Sequence, residues 1–91
     1  MATIQIIGMI MGGSTPFDGQ YLTEYDPARD GCDPDGLPMT CYLRTSPDRG
    51  DALTLSHREA MDLWGAVDPR TPIRPDGRPN RPLTAFTVEI A

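Results

Sequence analysis

The sequence predicts one small α+β domain spanning residues 1–91, in the order β-β-β-α-β, with a mainly antiparallel sheet and one helix packed on one face. A chain of 91 residues is long enough for one domain and too short for two. Apolar and polar residues alternate with period two in several short runs, and only one segment has apolar residues at helical spacing. Nine glycines and ten prolines, about twice the usual share, predict long and ordered connections.

The first strand is predicted over Thr3–Met11 and is apolar on both of its faces. The residues of one face are Ile4, Ile6 and Ile10, and those of the other face are Ile7, Met9 and Met11. A strand that is apolar on both sides is typical of the centre of a sheet with both faces covered. We therefore expect this strand to be central and enclosed.

The second and third strands show the alternation of half-buried strands. The second is predicted over Gln20–Asp26 and has Tyr21 and Tyr25 on one face. The third is predicted over Met39–Ser46, and the residues of its core-facing side are Met39, Cys41 and Leu43. Together with the first strand they form the predicted meander.

The two cysteines do not form a disulfide framework by themselves. Cys41 falls on the apolar side of the third strand and is interpreted as a small core residue. Cys32 lies in a polar loop and is expected to be an exposed free thiol. A Cys32–Cys41 bridge, which would attach the loop to the strand, is the alternative.

One helix has clear signals at both ends. Ser56 is the predicted N-cap and Glu59 the third residue of a capping box. Its apolar stripe consists of Ala60, Leu63, Trp64 and Val67. We expect Trp64 to be buried against the sheet. Gly65 and the Asp68-Pro69 pair are expected to end the helix.

The segment Asp68–Pro82 differs from the rest of the chain, because it holds five prolines and four arginines. We interpret it as a stiff, ordered crossover whose arginines pair with the chain's own carboxylates. Its Pro-x-x-Pro spacing leaves a second interpretation, a ligand for an SH3-type groove. A final strand is predicted over Leu83–Ala91, and its inward side chains are Phe86, Val88 and Ile90.

The charge balance limits the classes of partner. All eight basic residues are Arg, thirteen residues are acidic, and the formal net charge is −5. A net-acidic domain repels phosphate backbones, so direct nucleic-acid binding is disfavoured and a basic protein partner is favoured. The apolar run 4–11 lacks a cationic flank and is too short to cross a bilayer. We expect a soluble cytoplasmic protein with no membrane contact.

Four aspartates crowd the loop between the second and third strands, and they form the densest negative patch of the sequence: Asp26, Asp30, Asp33 and Asp35. A calcium loop that starts at Gly31 would place Gly36 correctly, but Gly31 and Tyr42 then stand where two carboxylate ligands are needed. The EF-hand is therefore excluded, and an irregular cation site remains as an alternative. Aspartates that form turns by bonding their own backbone are the simpler interpretation.

Other constellations carry little chemistry. The glycine-rich segment Gly8–Gly13 follows a strand, but the chain has no Lys for a phosphate loop and no helix follows directly. His57 is the only histidine, and a Cys41–His57 nucleophile pair has no third orienting group. We predict no catalytic residue, no metal site and no cofactor.

Two phrases of the chain, PFDGQYLTEYDP at 16–27 and RPDGRPNRPLTAFTVEI at 74–90, resemble short uncharacterised proteins of bacterial phages and prophages. The resemblance also includes the helix that contains Trp64. It implies a phage setting, in which small acidic proteins frequently inhibit host defence, as the anti-CRISPR proteins do. The resemblance transfers no catalytic residue to this chain.

The leading hypothesis is a non-enzymatic protein-binding protein, a phage-borne inhibitor of a host defence complex of the anti-CRISPR type, acting in the host cytoplasm. Its acidic loop would occupy a basic groove that normally holds a phosphate backbone, and two neighbouring tyrosines would supply apolar anchors. The predicted partner-binding residues are Asp26, Asp30, Asp33, Asp35, Tyr21 and Tyr25. The alternatives are a structural or regulatory phage accessory protein and a small-molecule or metal-binding module.

Overall fold

A computed structural model describes all 91 residues and confirms the α+β class. The strands are β1 (Ile4–Met9), β2 (Tyr21–Asp26), β3 (Gly31–Cys32), β4 (Pro38–Met39), β5 (Tyr42–Ser46) and β6 (Phe86–Ile90), and the helix is α1 (His57–Trp64). The main sheet is antiparallel, has the order β5-β2-β1-β6 and, with α1, has the predicted order β-β-β-α-β along the chain. Strands β3 and β4 form a separate two-stranded sheet, which the sequence did not predict.

One face of the main sheet carries the core, and α1 packs against that face. The eight buried residues of the core are Ile4, Ile6, Phe17, Leu22, Leu43, Ala60, Leu83 and Phe86. The rings of Phe17 and Phe86 meet edge to face with centroids 5.9 Å apart, a favourable aromatic geometry. Ala60 is the one fully enclosed residue of the helix, because its small side chain allows the helix to approach the sheet closely.

The prediction that β1 is central is confirmed, but the prediction that both of its faces are covered is wrong. Ile6 pairs with Val88 and Gly8 pairs with Thr87, so Ile7 is an extra residue in a β-bulge. A bulge shifts the alternation of side chains by one position. Ile7 lies on the side of β1 away from the core residues Ile4 and Ile6 and is 48% exposed, so that face of the strand is not covered.

The same bulge brings the end of β1 back to the core side. Met9 pairs with Phe86 and packs against the core, opposite to the face predicted for it. Ile10 and Met11 lie beyond the strand in a turn and are 59% and 90% exposed. The run of apolar residues therefore overstates both the length and the burial of this strand.

A second bulge lies in β2, between Leu22 and Glu24. Beyond it, Tyr25 pairs with Leu43, which is a core residue. Directly opposed residues of an antiparallel pair share one face. Tyr25 thus faces the core, whereas Tyr21 lies on the opposite face of the sheet.

Strands β1 and β2 pair only at one end and then separate. The gap is filled by chain from the segment before α1: the Leu53 N–H donates to the Leu22 carbonyl at 3.0 Å, and Leu55 bridges to Ala2. Leu53 and Leu55 both pack against the core. This segment completes the sheet where the second bulge turns β2 away.

The capping box of α1 is confirmed. The Glu59 N–H donates to Ser56 Oγ at 3.1 Å, and the Ser56 N–H donates to Glu59 Oε1 at 3.0 Å. The helix ends at Trp64, with Gly65 as its C-cap, so Val67 lies outside it and contributes no helical stripe. Trp64 is half-buried rather than enclosed, since α1 lies near the edge of the sheet and leaves one side of the indole open.

The predicted third and last strands are shorter than expected. The third is interrupted at Thr40-Cys41, and its first part pairs with β3 instead of joining the main sheet. Cys41 is buried and Cys32 is exposed, and both are free thiols. In the last strand, proline initiates a 3₁₀ turn at Pro82–Ala85, so β6 begins only at Phe86.

The proline- and arginine-rich segment folds back on itself instead of extending as a polyproline helix. The Asp68 N–H donates to the Asn80 carbonyl, and the Arg74 N–H donates to the Arg78 carbonyl at 2.8 Å. Gly77 has a φ of +84°, the left-handed conformation that this tight turn requires. No helix of the structure is both long and apolar enough to span a bilayer.

Candidate functional site: the acidic hairpin

The aspartate-rich residues 26–39 form the acidic hairpin, in which β3 and β4 are joined by a tight tip. Asp33 organises this tip, because its Oδ1 accepts the N–H groups of Asp35 and Leu37, both at 2.9 Å. Gly36 has a φ of +84° and allows the chain to reverse there. The Asp33 carboxylate therefore has a structural role in its own loop, as turn chemistry predicts.

The base of the acidic hairpin is held by one arginine of the crossover. Arg70 Nη1 lies 2.9 Å from Asp30 Oδ1, and its Nε lies 3.2 Å from Asp68 Oδ1. The same guanidinium donates to the carbonyls of Pro27 at 3.3 Å and Thr40 at 2.6 Å. We call this arrangement the Arg70 clamp, and it joins segments that lie 40 residues apart.

Asp68 is the acidic group that the clamp encloses. Its side chain is 5% exposed, and buried carboxylates are seldom stable without a partner. Hydrogen bonds from the Arg70 side chain lower the pKa of Asp68, against an opposing effect of desolvation. Asp68 is thus ionised and paired with Arg70.

The remaining two aspartates of the acidic hairpin differ in the contacts that their carboxylates make. Asp26 Oδ1 accepts the Ala28 N–H at 2.9 Å, a local turn that leaves the carboxylate exposed. Asp35 is exposed at the tip and forms no ion pair. Asp26 and Asp35 are therefore the carboxylates of the loop with the most freedom to meet another molecule.

The two tyrosines predicted as anchors do not lie together. Tyr21 is the first residue of β2, and Tyr25 is next to the last one, Asp26. Roughly 17 Å of extended chain separates Tyr21 from Asp26. Tyr21 pairs with Ser46 on the outer face of the sheet, away from the acidic hairpin. Tyr25 faces the core side.

The Tyr25 hydroxyl is buried and has no hydrogen-bond partner. The Leu83 backbone approaches it without reaching a good hydrogen-bond geometry. Burial raises the pKa of Tyr25 well above its usual range, and the nearby Cys41 and Asp68 raise it further. The hydroxyl stays protonated in any ordinary buffer.

Sequence reasoning missed the aromatic residue that does lie beside the acidic hairpin. Tyr42 pairs with Asp26, its hydroxyl donates to Glu24 Oε2 at 2.9 Å, and it accepts from Arg44 Nε at 3.1 Å. The Arg29 guanidinium lies 4.2 Å from the centre of its ring, within the range of a cation–π contact. Tyr42 follows the core-facing Cys41 in the strand alternation, which predicts that its side chain points outward. The alternation does not predict the contact with Arg29.

A surface depression of about 370 Å³ lies along the edge of β2 that β1 leaves free. Its lining residues are Thr23, Glu24, Tyr25, Asp26, Arg29, Tyr42 and Leu53. Glu24 and Asp26 contribute carboxylates to its lining, and Tyr25, Tyr42 and Leu53 are its hydrophobic lining residues. We call it the tyrosine depression.

The other groups that could support catalysis are not assembled into a site. Burial raises the pKa of the Cys41 thiol, and the charge of Asp68 raises it further, so Cys41 is a poor nucleophile. His57 is exposed in the first turn of α1. No three His, Cys, Asp or Glu side chains are placed so as to hold a metal ion.

The glycine-rich segment is a tight turn. The Gly12 N–H donates to the Met9 carbonyl, the Met9 N–H donates to the Gly13 carbonyl, and Gly12 has a φ of +89°.

Comparison of the chain with known protein families, with curated proteins and with solved structures finds no match.

Proposed function

We propose that this chain is a non-enzymatic protein-binding protein that covers a basic surface of a host complex with its acidic hairpin and tyrosine depression. Within that role, we propose a phage-borne inhibitor of a bacterial defence complex, of the anti-CRISPR type, that acts in the host cytoplasm. The surface it covers is one that otherwise holds nucleic acid or another subunit.

One observation carries this proposal: only three of the thirteen carboxylates are held in ion pairs. These three are Asp30, Asp68 and Asp76, all of which pair with crossover arginines. The other ten carboxylates form no ion pair, and the chain has a net charge of −5. A surface of this kind attracts basic proteins and repels nucleic acid.

The tyrosine depression supports a specific kind of contact. Arg29 already rests on the Tyr42 ring at 4.2 Å, and the Tyr42 hydroxyl is bonded to Glu24. This is the environment that a guanidinium prefers, an aromatic face with carboxylates beside it. An arginine or lysine of a partner would replace Arg29 there, with Asp26 and Glu24 as its counter-charges.

The proposed mechanism requires no covalent step. Opposite charges accelerate encounter, and the rigid base of the acidic hairpin presents its carboxylates in one arrangement. The Arg70 clamp supplies that rigidity, because it ties the loop to the crossover at Asp30, Pro27 and Thr40. Binding then excludes the nucleic acid that would use the same basic side chains.

The phage setting rests on the resemblance of residues 16–27 and 74–90 to phage and prophage proteins. The first phrase forms the turn before β2 and all of β2, and the second contains the end of the crossover and all of β6. The acidic hairpin begins with the last two residues of the first phrase and otherwise lies between the two phrases. The resemblance therefore supports the setting, and the charge layout supports the mode of action.

The test measures how well the chain prevents purified CRISPR effector complexes of the bacterial host from binding labelled target DNA. The informative variant is the double substitution Glu24→Gln and Asp35→Arg, which leaves the turn-forming Asp33 and the clamped Asp30 intact. The wild-type chain is expected to displace the DNA, and the variant to need about tenfold more protein. Higher salt should weaken both effects.

The matched control is Asp62→Arg with Asp76→Asn, which changes the net charge by the same amount on other surfaces. It should compete as well as the wild type. If no effector loses DNA binding, or if the test and control variants behave alike, the acidic hairpin is not the inhibitory surface.

A further inference from the structure

Strand β6 is an edge of the main sheet whose outer side is almost bare. It pairs only with β1. Thr3 and Ala91 exchange both of their backbone hydrogen bonds, and the ladder continues with Gln5 opposite Glu89. Because antiparallel residues point alternately to either side, the backbone groups of Val88 and Ile90 face away from β1.

The start of this edge is already occupied. The Phe86 N–H donates to the Leu83 carbonyl, and Phe86 O accepts the Trp64 indole N–H at 3.4 Å. The edge is therefore covered at Phe86 and open from Val88 to Ile90. It offers two N–H donors and two carbonyl acceptors in a row.

An apolar cavity lies directly beside the open groups. It measures about 240 Å³, and all four residues that line it are hydrophobic: Met61, Trp64, Val88 and Ile90. Met61 is 46% exposed and Trp64 is half-buried, so the cavity opens to solvent between α1 and β6. A strand added to this edge would direct alternate side chains into it.

The edge has little of the protection that exposed edges usually carry. Natural edge strands are commonly protected by proline, lysine, an inward-pointing charge or a bulge on the outer side. The sequence of β6 has none of the first three, and its bulge partner Ile7 lies on the inner strand β1. Its single charge is Glu89, which is exposed on the outer face.

A second copy of this chain fits the edge poorly. If Val88 faced Val88 of the other copy, the next hydrogen bonds would require the Phe86 groups that Leu83 and Trp64 already use. If Val88 faced Ile90 of the other copy, the two Glu89 residues would lie directly opposite each other, with their Cα atoms about 4.5 Å apart and their carboxylates on the same face. Both registers are penalised.

A strand with a basic residue between two apolar ones fits without either penalty. Its apolar residues would lie opposite Val88 and Ile90 and exchange all four free backbone hydrogen bonds. Its basic residue would lie opposite Glu89, where opposite charges stabilise a cross-strand pair. The two apolar side chains would share the face of the cavity at Trp64.

We propose that the β6 edge is a docking site for an extended segment of another protein with the pattern apolar–basic–apolar, which joins the sheet as an antiparallel fifth strand. This site is separate from the acidic hairpin, which flanks the opposite edge at β5. The inference does not depend on the proposed inhibitor function.

The test titrates the full chain with a capped peptide of sequence serine-threonine-valine-arginine-valine-threonine-serine, observed by amide NMR. The Val88 and Ile90 amides should shift and should exchange with solvent more slowly when the peptide is bound. A peptide with glutamate in place of arginine should bind about tenfold more weakly or not at all. N-methylation of both valines should abolish binding, whereas N-methylation of the arginine, whose N–H points away from β6, should not.

The protein variant is Glu89→Arg, which should weaken peptide binding about tenfold, and Asp35→Arg is its control on the acidic hairpin and should have no effect. Equal binding of the glutamate peptide, or binding that survives methylation of both valines, would overturn the proposal. So would a stable dimer in sedimentation whose Val88 amides are already protected without peptide. An inhibitor assay that fails with the acidic hairpin variants would leave these outcomes unaffected.

Discussion

The two edges of the main sheet are treated very differently by the rest of the chain. At the β5 edge, β3 runs so close that a Cβ on Gly31 would stand 3.1 Å from the Tyr42 Cα. Arg70 also takes the Thr40 carbonyl just before that strand begins. At the β6 edge only the Trp64 indole and the Leu83 carbonyl bond to the outward backbone groups, and both do so at Phe86.

The difference shows what is required to cover an edge in so small a domain. The β5 edge is covered by an inserted hairpin, a glycine that permits close approach, and an arginine supplied from the crossover. The β6 edge has one half-buried aromatic residue and a helix of eight residues. The β5 edge is thus covered by polar, hydrogen-bonded structure, whereas the β6 edge has an apolar cavity and unpaired backbone groups.

The largest effects are expected in the core beneath the two edges, where they should be similar. Phe86→Ala below β6 should cost about 3–5 kcal/mol and Leu43→Ala below β5 about 2–5 kcal/mol, because each opens a cavity among buried side chains. Chemical denaturation with fluorescence detection measures both. If Phe86→Ala cost less than about 1 kcal/mol, the β6 edge would be loosely packed as well as uncovered.

The sequence predicts this fold class for good physical reasons, and its failures are equally instructive. The capping box at Ser56 and Glu59 is local chemistry, so it can be recognised in four residues. The bulges at Ile7 and Thr23 are not local, because a bulge is defined by the partner strand. They reversed the predicted faces of Met9 and Tyr25.

The candidate site shows the same limit. The turn chemistry of Asp33 follows from the residues around it. The pairing of Asp30 with Arg70 links positions 40 apart, and only the general expectation of paired crossover arginines pointed to it. The contact between Arg29 and Tyr42 had no sequence signal, since it depends on how closely β3 approaches β5.

The second prediction tests the Arg70 clamp at the β5 edge. Arg70→Met should lower the melting temperature at pH 7, because it leaves the Asp68 carboxylate enclosed without its partner. The effect should be smaller than that of the core substitutions, since Arg70 itself is partly exposed. Arg58→Met on the exposed face of α1 is the control and should change little.

The clamp also predicts an acid dependence with a definite sign. The pKa of Asp68 is lower in the folded protein than in the unfolded chain, so the pair stabilises the fold fully above the ordinary Asp value. That stabilisation begins to disappear as the pH falls to about 4 and is lost through the folded-state pKa. Arg70→Met should flatten this part of the stability profile, and an unchanged profile would contradict the clamp.

The third prediction concerns the single cover of the β6 edge. Trp64→Ala should cost about 2 kcal/mol, roughly half the usual cost of removing a fully buried aromatic residue, because the indole is half-buried. It also frees the Phe86 carbonyl. Hydrogen exchange at Val88 and Ile90 should be fast in both proteins, and a strong slowing in the variant would indicate self-association through the uncovered edge.

The smallest expected effect is at the start of the helix that brings Trp64 to the β6 edge. Ser56→Ala removes the hydroxyl that accepts the Glu59 N–H and should cost about 1 kcal/mol in the free energy of unfolding. The Glu59 carboxylate still accepts the backbone N–H of residue 56. We therefore expect the helix to shorten only at its first turn, and Trp64 to stay in place. Ser56→Asp keeps an acceptor at the N-cap and should remain within a few tenths of a kcal/mol of the wild type. If Ser56→Ala instead lowered stability as much as Trp64→Ala and altered tryptophan fluorescence, the first turn would fix the position of the whole helix, and the β6 edge would depend on its cap as strongly as the β5 edge depends on Arg70.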